Sequence, residues 1–293
     1  MKRVVTILLG TCMCIGAATV ASAQGNGAGM DKPPKVLEIQ REVLKPGKGG
    51  ASHAKTESMF VRAMATAKDT TYYLGMDALT GPSRSLFFTG FDSFAAWEKE
   101  NLDVQKNATQ SAALDRASVA DGDLLQTLET SAFVLRDDMS LNPNTDLAKA
   151  RYFEIGVFHV KPGHGEDWEA IMKLVKDAYS KVPGVQWAMY ERAYGGANDY
   201  FIYITPLRSM AEIDKNFANG PKFVEAIGKD GMKKLNDLMA GAVDQDESNM
   251  FVLNPAISYV GPEMIKADPT FWKPAPTAEP KKAAEKPADK PAQ

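Results

Sequence analysis

The sequence predicts an α+β fold of two tandem ferredoxin-like βαββαβ repeats that together make a pseudo-two-fold α/β barrel. Three observations carry this. The first is self-similarity. Leu37-Glu38-Ile39 followed by Lys45-Pro46-Gly47-Lys48-Gly49 returns as Phe153-Glu154-Ile155 followed by Lys161-Pro162-Gly163-His164-Gly165, at a constant offset of 116 residues. A period this long marks a duplicated domain and not a short solenoid unit. The second is that each unit switches in the same order between strand-like alternation and helical spacing. The third is that a sheet with helices on one face needs cover on the other, and a partner sheet supplies it.

In the first unit, Val36 to Leu44 reads as a strand, and Met59, Phe60, Ala63, Met64 and Ala67 form the stripe of a helix. Tyr72 to Met76 and Ser85 to Thr89 make a hairpin around Gly81-Pro82. A helical region starts near Asp92 with Phe94 and Trp97, and Ser131 to Arg136 closes the unit. In the second unit, Tyr152 to Val160 is the strand that ends at Lys161-Pro162-Gly163. Glu166 and Asp167 suit the positive end of the following helix, whose stripe is Trp168, Ile171, Met172, Val175 and Tyr179. Val185 to Arg192 and Tyr200 to Thr205 form the hairpin. Ser209-x-x-Glu212 is a capping box, Asn219-Gly220-Pro221 a break, and Asn249 to Leu253 the last strand.

The expected organisation is a signal peptide at 1–23, a flexible joint at 24–35, repeat 1 at 36–140, a linker at 141–151, repeat 2 at 152–260 and a disordered Pro/Ala/Lys-rich tail at 261–293. Lys2 and Arg3, the apolar run Val4 to Val20 and Ala21-Ser22-Ala23 are the parts of a secretory signal, so export to the periplasm or the extracellular space is expected. Cys12 and Cys14 both lie in that signal, which leaves the mature chain without disulfides or thiolate chemistry. The formal charge is −3, with no basic block, so no nucleic-acid partner is expected. No other segment is long and apolar enough for a membrane span.

A strand that ends in Val/Leu-Lys-Pro-Gly-Lys/His-Gly and then enters an amphipathic helix resembles the opening of domains in the dimeric α/β-barrel superfamily, with both halves fused in one chain. It is similar to NIPSNAP-like and to antibiotic-biosynthesis-monooxygenase-like domains. The resemblance implies the fold. Its families include cofactor-free oxygenases, haem-binding enzymes and proteins without assigned chemistry.

Strand alternation assigns Leu37, Ile39, Phe153, Ile155 and Val157 to the helices, and Glu38, Gln40, Glu42, Glu154, Gly156 and Phe158 to the barrel interior. Glu154 and His159 are the candidate proton-transfer residues. Glu38, Trp187, Tyr190 and Tyr203 are candidate ligand contacts, expected between the sheets and nearer the second unit. Ordinary packing and ion pairing explain the same residues as well. His53 starts a helix and His164 sits in a turn; neither belongs to a metal-ligand spacing, so no metal and no cofactor are expected. The function read from this is an exported, non-catalytic protein that binds a small aromatic molecule or a partner. The alternatives are a cofactor-free monooxygenase or isomerase acting on a phenol- or quinone-like substrate, and haem binding through His159.

Overall fold

The computed structural model describes residues 32–143 and 146–273. The signal at 1–23, most of the joint and the stretch 274–293 lie outside the described residues. The first half runs β1 (Val36–Leu44), α1 (Ala51–Ala67), β2 (Tyr73–Ala78), β3 (Arg84–Phe91), α2 (Phe94–Lys106), α3 (Ala108–Gly122) and β4 (Leu125–Leu135). The second runs β5 (Tyr152–Val160), α4 (Gly165–Tyr179), β6 (Ala188–Tyr194), β7 (Tyr200–Leu207), α5 (Ala211–Ala218), α6 (Gly220–Ala242) and β8 (Val243–Leu253). Two short helices follow, α7 (Pro262–Ala267) and α8 (Pro269–Trp272).

All eight strands belong to one closed antiparallel barrel in the order β1-β3-β2-β8-β5-β7-β6-β4. This corrects the expectation of two ferredoxin-like repeats whose separate sheets meet face to face. The halves join edge to edge. β2 pairs with β8 from Met76↔Leu253 to Ala78↔Phe251, and β4 pairs with β6 from Ala132↔Tyr194 to Leu135↔Tyr190. The physical reason is the edge strand. A four-stranded sheet leaves two rows of unpaired N–H and C=O groups, and closure satisfies both.

Closure also reverses the expected faces. Leu37 and Ile39, Leu74 and Met76, Leu86 and Phe88, Phe153 and Ile155, Ile202 and Ile204, and Phe251 and Leu253 form one buried cluster, with Phe133 and Tyr190 from the remaining strands. Drawn from all eight strands, that cluster lines the interior of the barrel. The alternate residues face outward to the helices: Glu42 meets His53 of α1, and Phe158 meets Trp168 of α4. A barrel of eight strands has room for a packed core and little else. The interior therefore takes the set that is apolar in every strand.

One end of the barrel is plugged. The Tyr190 hydroxyl donates to the Pro34 carbonyl at 3.0 Å, and the Trp272 indole N–H donates to the Ala148 carbonyl at 3.0 Å. Met264 and Trp272 are buried against the same core. The expected tail is thus folded as far as Lys273, where two apolar side chains on α7 and α8 find the open end of the barrel to cover. The other end is polar. Arg41, Arg84, Arg192, Glu129 and Glu247 line a recess of about 310 Å³ there, with Arg41 paired to Glu129 at 2.7 Å.

The helical region after Asp92 forms two helices because Asn107 interrupts it; its side chain accepts from Gln110 N and starts α3. The break expected at Asn219-Gly220-Pro221 separates α5 from α6, and Gly228 (φ 71°) breaks α6 again. Helix α1 packs against α3 and meets β1 through His53 and Glu42; α4 packs against α6 and meets β5 through Trp168 and Phe158.

Candidate functional site

A cavity of about 1060 Å³ lies between the outer face of the second half of the sheet and its helices. Its floor is Glu154 and Phe158 of β5, Met189 of β6, and Tyr203 and Thr205 of β7. Trp168, Ile171 and Tyr179 of α4 form the opposite wall, with Leu235 and Met239 of α6 and Trp187 ahead of β6. The rim is polar, with Asp146, Arg208, Glu212 and Lys215. The cavity expected between the sheets therefore lies on their outer side; the barrel interior holds the shared apolar core and, at its polar end, the smaller recess of about 310 Å³.

Gly156 shapes the floor. In the sheet it stands opposite Tyr203 on one side and Ser248 on the other. A Cβ at Gly156 would lie 1.7 Å from Tyr203 Cε1, so the tyrosine ring lies flat over the glycine. That posture carries the Tyr203 hydroxyl across β5. There it donates to Glu154 Oε1 at 2.8 Å and shares a hydrogen bond with Ser248 Oγ at 2.9 Å. Burial, then the Glu154 charge, push the Tyr203 phenol far above its usual pKa. Tyr203 remains a donor throughout the working pH range, and Glu154 keeps a fixed orientation. Tyr179 is raised for the same two reasons. Two tryptophans complete the wall. Trp187 is 7% exposed and donates its indole N–H to Met139 O at 2.9 Å. The Trp168 indole N–H is buried with no partner among the described residues.

Glu154, Trp187 and Tyr203 are thus brought together. Tyr190 is not: it points into the barrel core, one residue out of phase with the cavity wall. Glu38 belongs to the other half, on the outward face of β1, where burial raises its carboxyl to about 7. His159 shares the face of Ile155 and Val157, pairs with Asp244 at 2.6 Å and is absent from the cavity wall. No histidine lines that wall among the described residues, so haem held through His159 does not fit this arrangement. His164 pairs with Asp167 at 2.7 Å in the first turn of α4.

The sequence reading missed one group. Glu42 of β1, His53 and Glu57 of α1, and Asp121 of α3 meet on the outer face of the first half, all buried. This corrects the expectation that no carboxylate cluster completes a metal-ligand set around a histidine. Burial, followed by the charges of Glu42 and Asp121, raises Glu57 to about 10. Burial lowers His53, but its hydrogen bond to Glu42 and the surrounding carboxylates more than offset this, and the net shift is upward. The available signal was His53-x-x-x-Glu57, two ligand-type side chains one helical turn apart.

No family model matches the chain, and no curated protein matches it. Among solved structures, a proposed monooxygenase from Lactobacillus acidophilus aligns at TM-score 0.47 and 10% identity, over 74% of this chain and 93% of that one. An anthrone oxidase-like protein aligns at 0.46 and 12%, over 75% and 92%. A mutant chlorite dismutase from Candidatus Nitrospira defluvii aligns at 0.47 and 10%, over 80% and 96%. The structural neighbours are thus monooxygenase-like and chlorite-dismutase-like proteins, and at these scores the likeness says nothing of this chain's chemistry. The narrower NIPSNAP-like resemblance gains nothing from these matches.

Two outcomes are expected. Gly156→Ala should drive Tyr203 off the floor, lower the unfolding free energy by about 1–3 kcal/mol and bring the Tyr203 phenol down toward its usual range. Ultraviolet-monitored titration and urea unfolding read both effects; an unchanged midpoint would contradict the packing described. For Glu38, the unfolded carboxyl titrates near 4.5 and the folded one near 7. The folded chain holds the extra proton between these values, so stability falls as pH rises through that window and levels off above it. Glu38→Gln should match the wild type near pH 4 and exceed its stability at pH 8 by roughly 1–3 kcal/mol. Parallel pH–stability curves for the two proteins would refute the burial of Glu38.

Proposed function

We propose that the cavity of the second half takes a flat, electron-rich aromatic molecule of the phenol or quinol kind, and that Glu154 accepts a proton from it. One observation carries the reading: a carboxylate held by the Tyr203 hydroxyl faces a large cavity walled by Trp168, Tyr179 and Trp187. The volume of about 1060 Å³ lies at the upper end of small-molecule sites, about 300–1,000 Å³, and accommodates several fused rings. Aromatic walls favour a flat ring through offset and edge-on contacts.

The catalytic form of this reading is a cofactor-free oxygenase. Loss of a proton to Glu154 makes the bound ring system electron-rich enough to pass electrons to O₂ directly. In a fused-ring phenol whose keto tautomer carries a ring CH₂, that CH₂ becomes C=O with one atom of O₂, and its two hydrogens leave with the second oxygen atom as water. The protein's part is to fix the base, hold the ring and exclude bulk water from the reduced-oxygen intermediate. The polar rim of Arg208 and Lys215 lets a charged substituent stay at the entrance.

The test is a titration of the purified protein with 2-naphthol and with a tricyclic phenol, read by tryptophan quenching, with oxygen uptake followed in parallel. Glu154→Gln and Tyr203→Phe should weaken binding or turnover about tenfold or more. Tyr190→Phe, in the barrel core, should leave both unchanged. Binding without oxygen uptake would make this a binding protein. Equal binding by the wild type and Glu154→Gln would remove the role given to the carboxylate.

A further inference from the structure

The buried acids of the first half call for an explanation that packing does not supply. The side chains of Glu42, His53, Glu57 and Asp121 are each 2–3% exposed. His53 Nε2 stands 2.9 Å from Glu42 Oε2, 3.6 Å from Asp121 Oδ1 and 3.8 Å from Glu57 Oε1. All four ligand atoms lie within 4.8 Å of one another. Among the described residues, no lysine or arginine is paired with any of the three carboxylates. Gln40 satisfies the second oxygen of Glu42, and Thr56 donates to Asp121. Glu57 Oε1 is different. It is fully buried, faces the cluster and, as a carboxylate oxygen, accepts no hydrogen bond. A buried acceptor left open in this way costs free energy unless something fills it.

The second half shows that these acids are not needed to close the layer. Phe158 is the seventh residue of β5, as Glu42 is of β1. Phe158 stands opposite Phe201, where Glu42 stands opposite Ser85. Trp168 of α4 packs on both of those phenylalanines, with ring centroids at 5.1 and 5.0 Å. The same place between strand and helix is filled by rings in one half and by three acids and an imidazole in the other.

We propose that Glu42, His53, Glu57 and Asp121 form a binding site for a divalent first-row transition ion of the Mn²⁺, Fe²⁺ or Zn²⁺ class. Metal–ligand bonds of about 2.0–2.2 Å set neighbouring ligand atoms roughly 3–3.6 Å apart. The three separations measured from Nε2 straddle that range, so small side-chain adjustments close the shell. One imidazole among carboxylates favours these ions over Mg²⁺ and Ca²⁺, which take oxygen ligands. The outer shell is also in place. With Nε2 on the metal, the N–H of His53 is at Nδ1, 3.5 Å from Ser85 Oγ. Ser85 donates to Asp77 Oδ1 at 2.6 Å, and Asn254 donates to Asp77 Oδ2 at 2.7 Å. Four buried protein ligands complete a tetrahedral Zn²⁺ shell, and a second oxygen from a carboxylate extends it for Mn²⁺ or Fe²⁺. The ion is therefore a clasp that ties β1 to α1 and α3, and the site is separate from the cavity of the second half.

The experiment uses the full chain stripped with a chelator and dialysed against Zn²⁺ or Mn²⁺. One ion per chain should bind, and the unfolding temperature should rise with either metal. Glu57→Gln and Asp121→Asn keep the shape, relieve charge in the metal-free cluster and should weaken binding about tenfold or more. If a variant fails to fold, the Mn²⁺ form of the wild type decides: pulsed electron paramagnetic resonance should show coupling to one imidazole nitrogen. No metal uptake would mean that protons alone settle the cluster and would overturn the proposal. So would Mn²⁺ without nitrogen coupling, or variants that bind as tightly as the wild type.

Discussion

Edge-to-edge closure of the sheet is the constraint on which the rest of this structure depends. Once β2 pairs with β8 and β4 with β6, the barrel has no free edge, and its interior is common property of eight strands. Every strand must then present an apolar set inward, and each does. Whatever is polar and buried is displaced to the two outer layers, between sheet and helices, or to the arginine-lined open end. The position of both candidate sites follows from this displacement and not from any local motif.

The two outer layers are built on matching strands but filled differently. In the second half, Gly156 and the ring laid over it open a floor where Tyr203 can reach Glu154, and helices α4 and α6 stand far enough off to leave a large cavity. In the first half, helix α1 brings His53 and Glu57 down onto Glu42, and α3 adds Asp121, so the layer is solid and charged. One half encloses a large chamber between sheet and helices; the other brings three acids and an imidazole together in the same layer.

Strand and helix positions could be read from residue patterns because they depend on local spacing. Val36–Leu44, Tyr152–Val160 and the α4 stripe from Trp168 to Tyr179 appear where alternation and helical periodicity put them. The facing of the strands could not. In β5, Phe153-Ile155-Val157 is apolar whether it meets helices or a barrel core, and only the closure of eight strands decides between them. That one decision sent Tyr190 into the core and took Glu154 to the helix side. Trp187 and Tyr203 were identifiable as polar aromatics on a hairpin. The Gly156 cradle was not, because it depends on cross-strand register with Tyr203 and Ser248. The acid cluster stayed hidden because Glu42, His53 and Asp121 are brought together by the packing of α1 and α3 on β1, which no sequence spacing records.

The central claim is that this barrel keeps its chemistry outside its core, in the chamber between the second half of the sheet and α4. The most direct measurement is a crystal of the protein soaked with a bromonaphthol, with the bromine located by anomalous scattering. The account requires a peak between the outer face of β5 and β7 and helix α4, with the naphthol oxygen in hydrogen-bond reach of Glu154. A peak inside the barrel, or bound naphthol confined to the outer surface with the chamber filled by side chains, would contradict it.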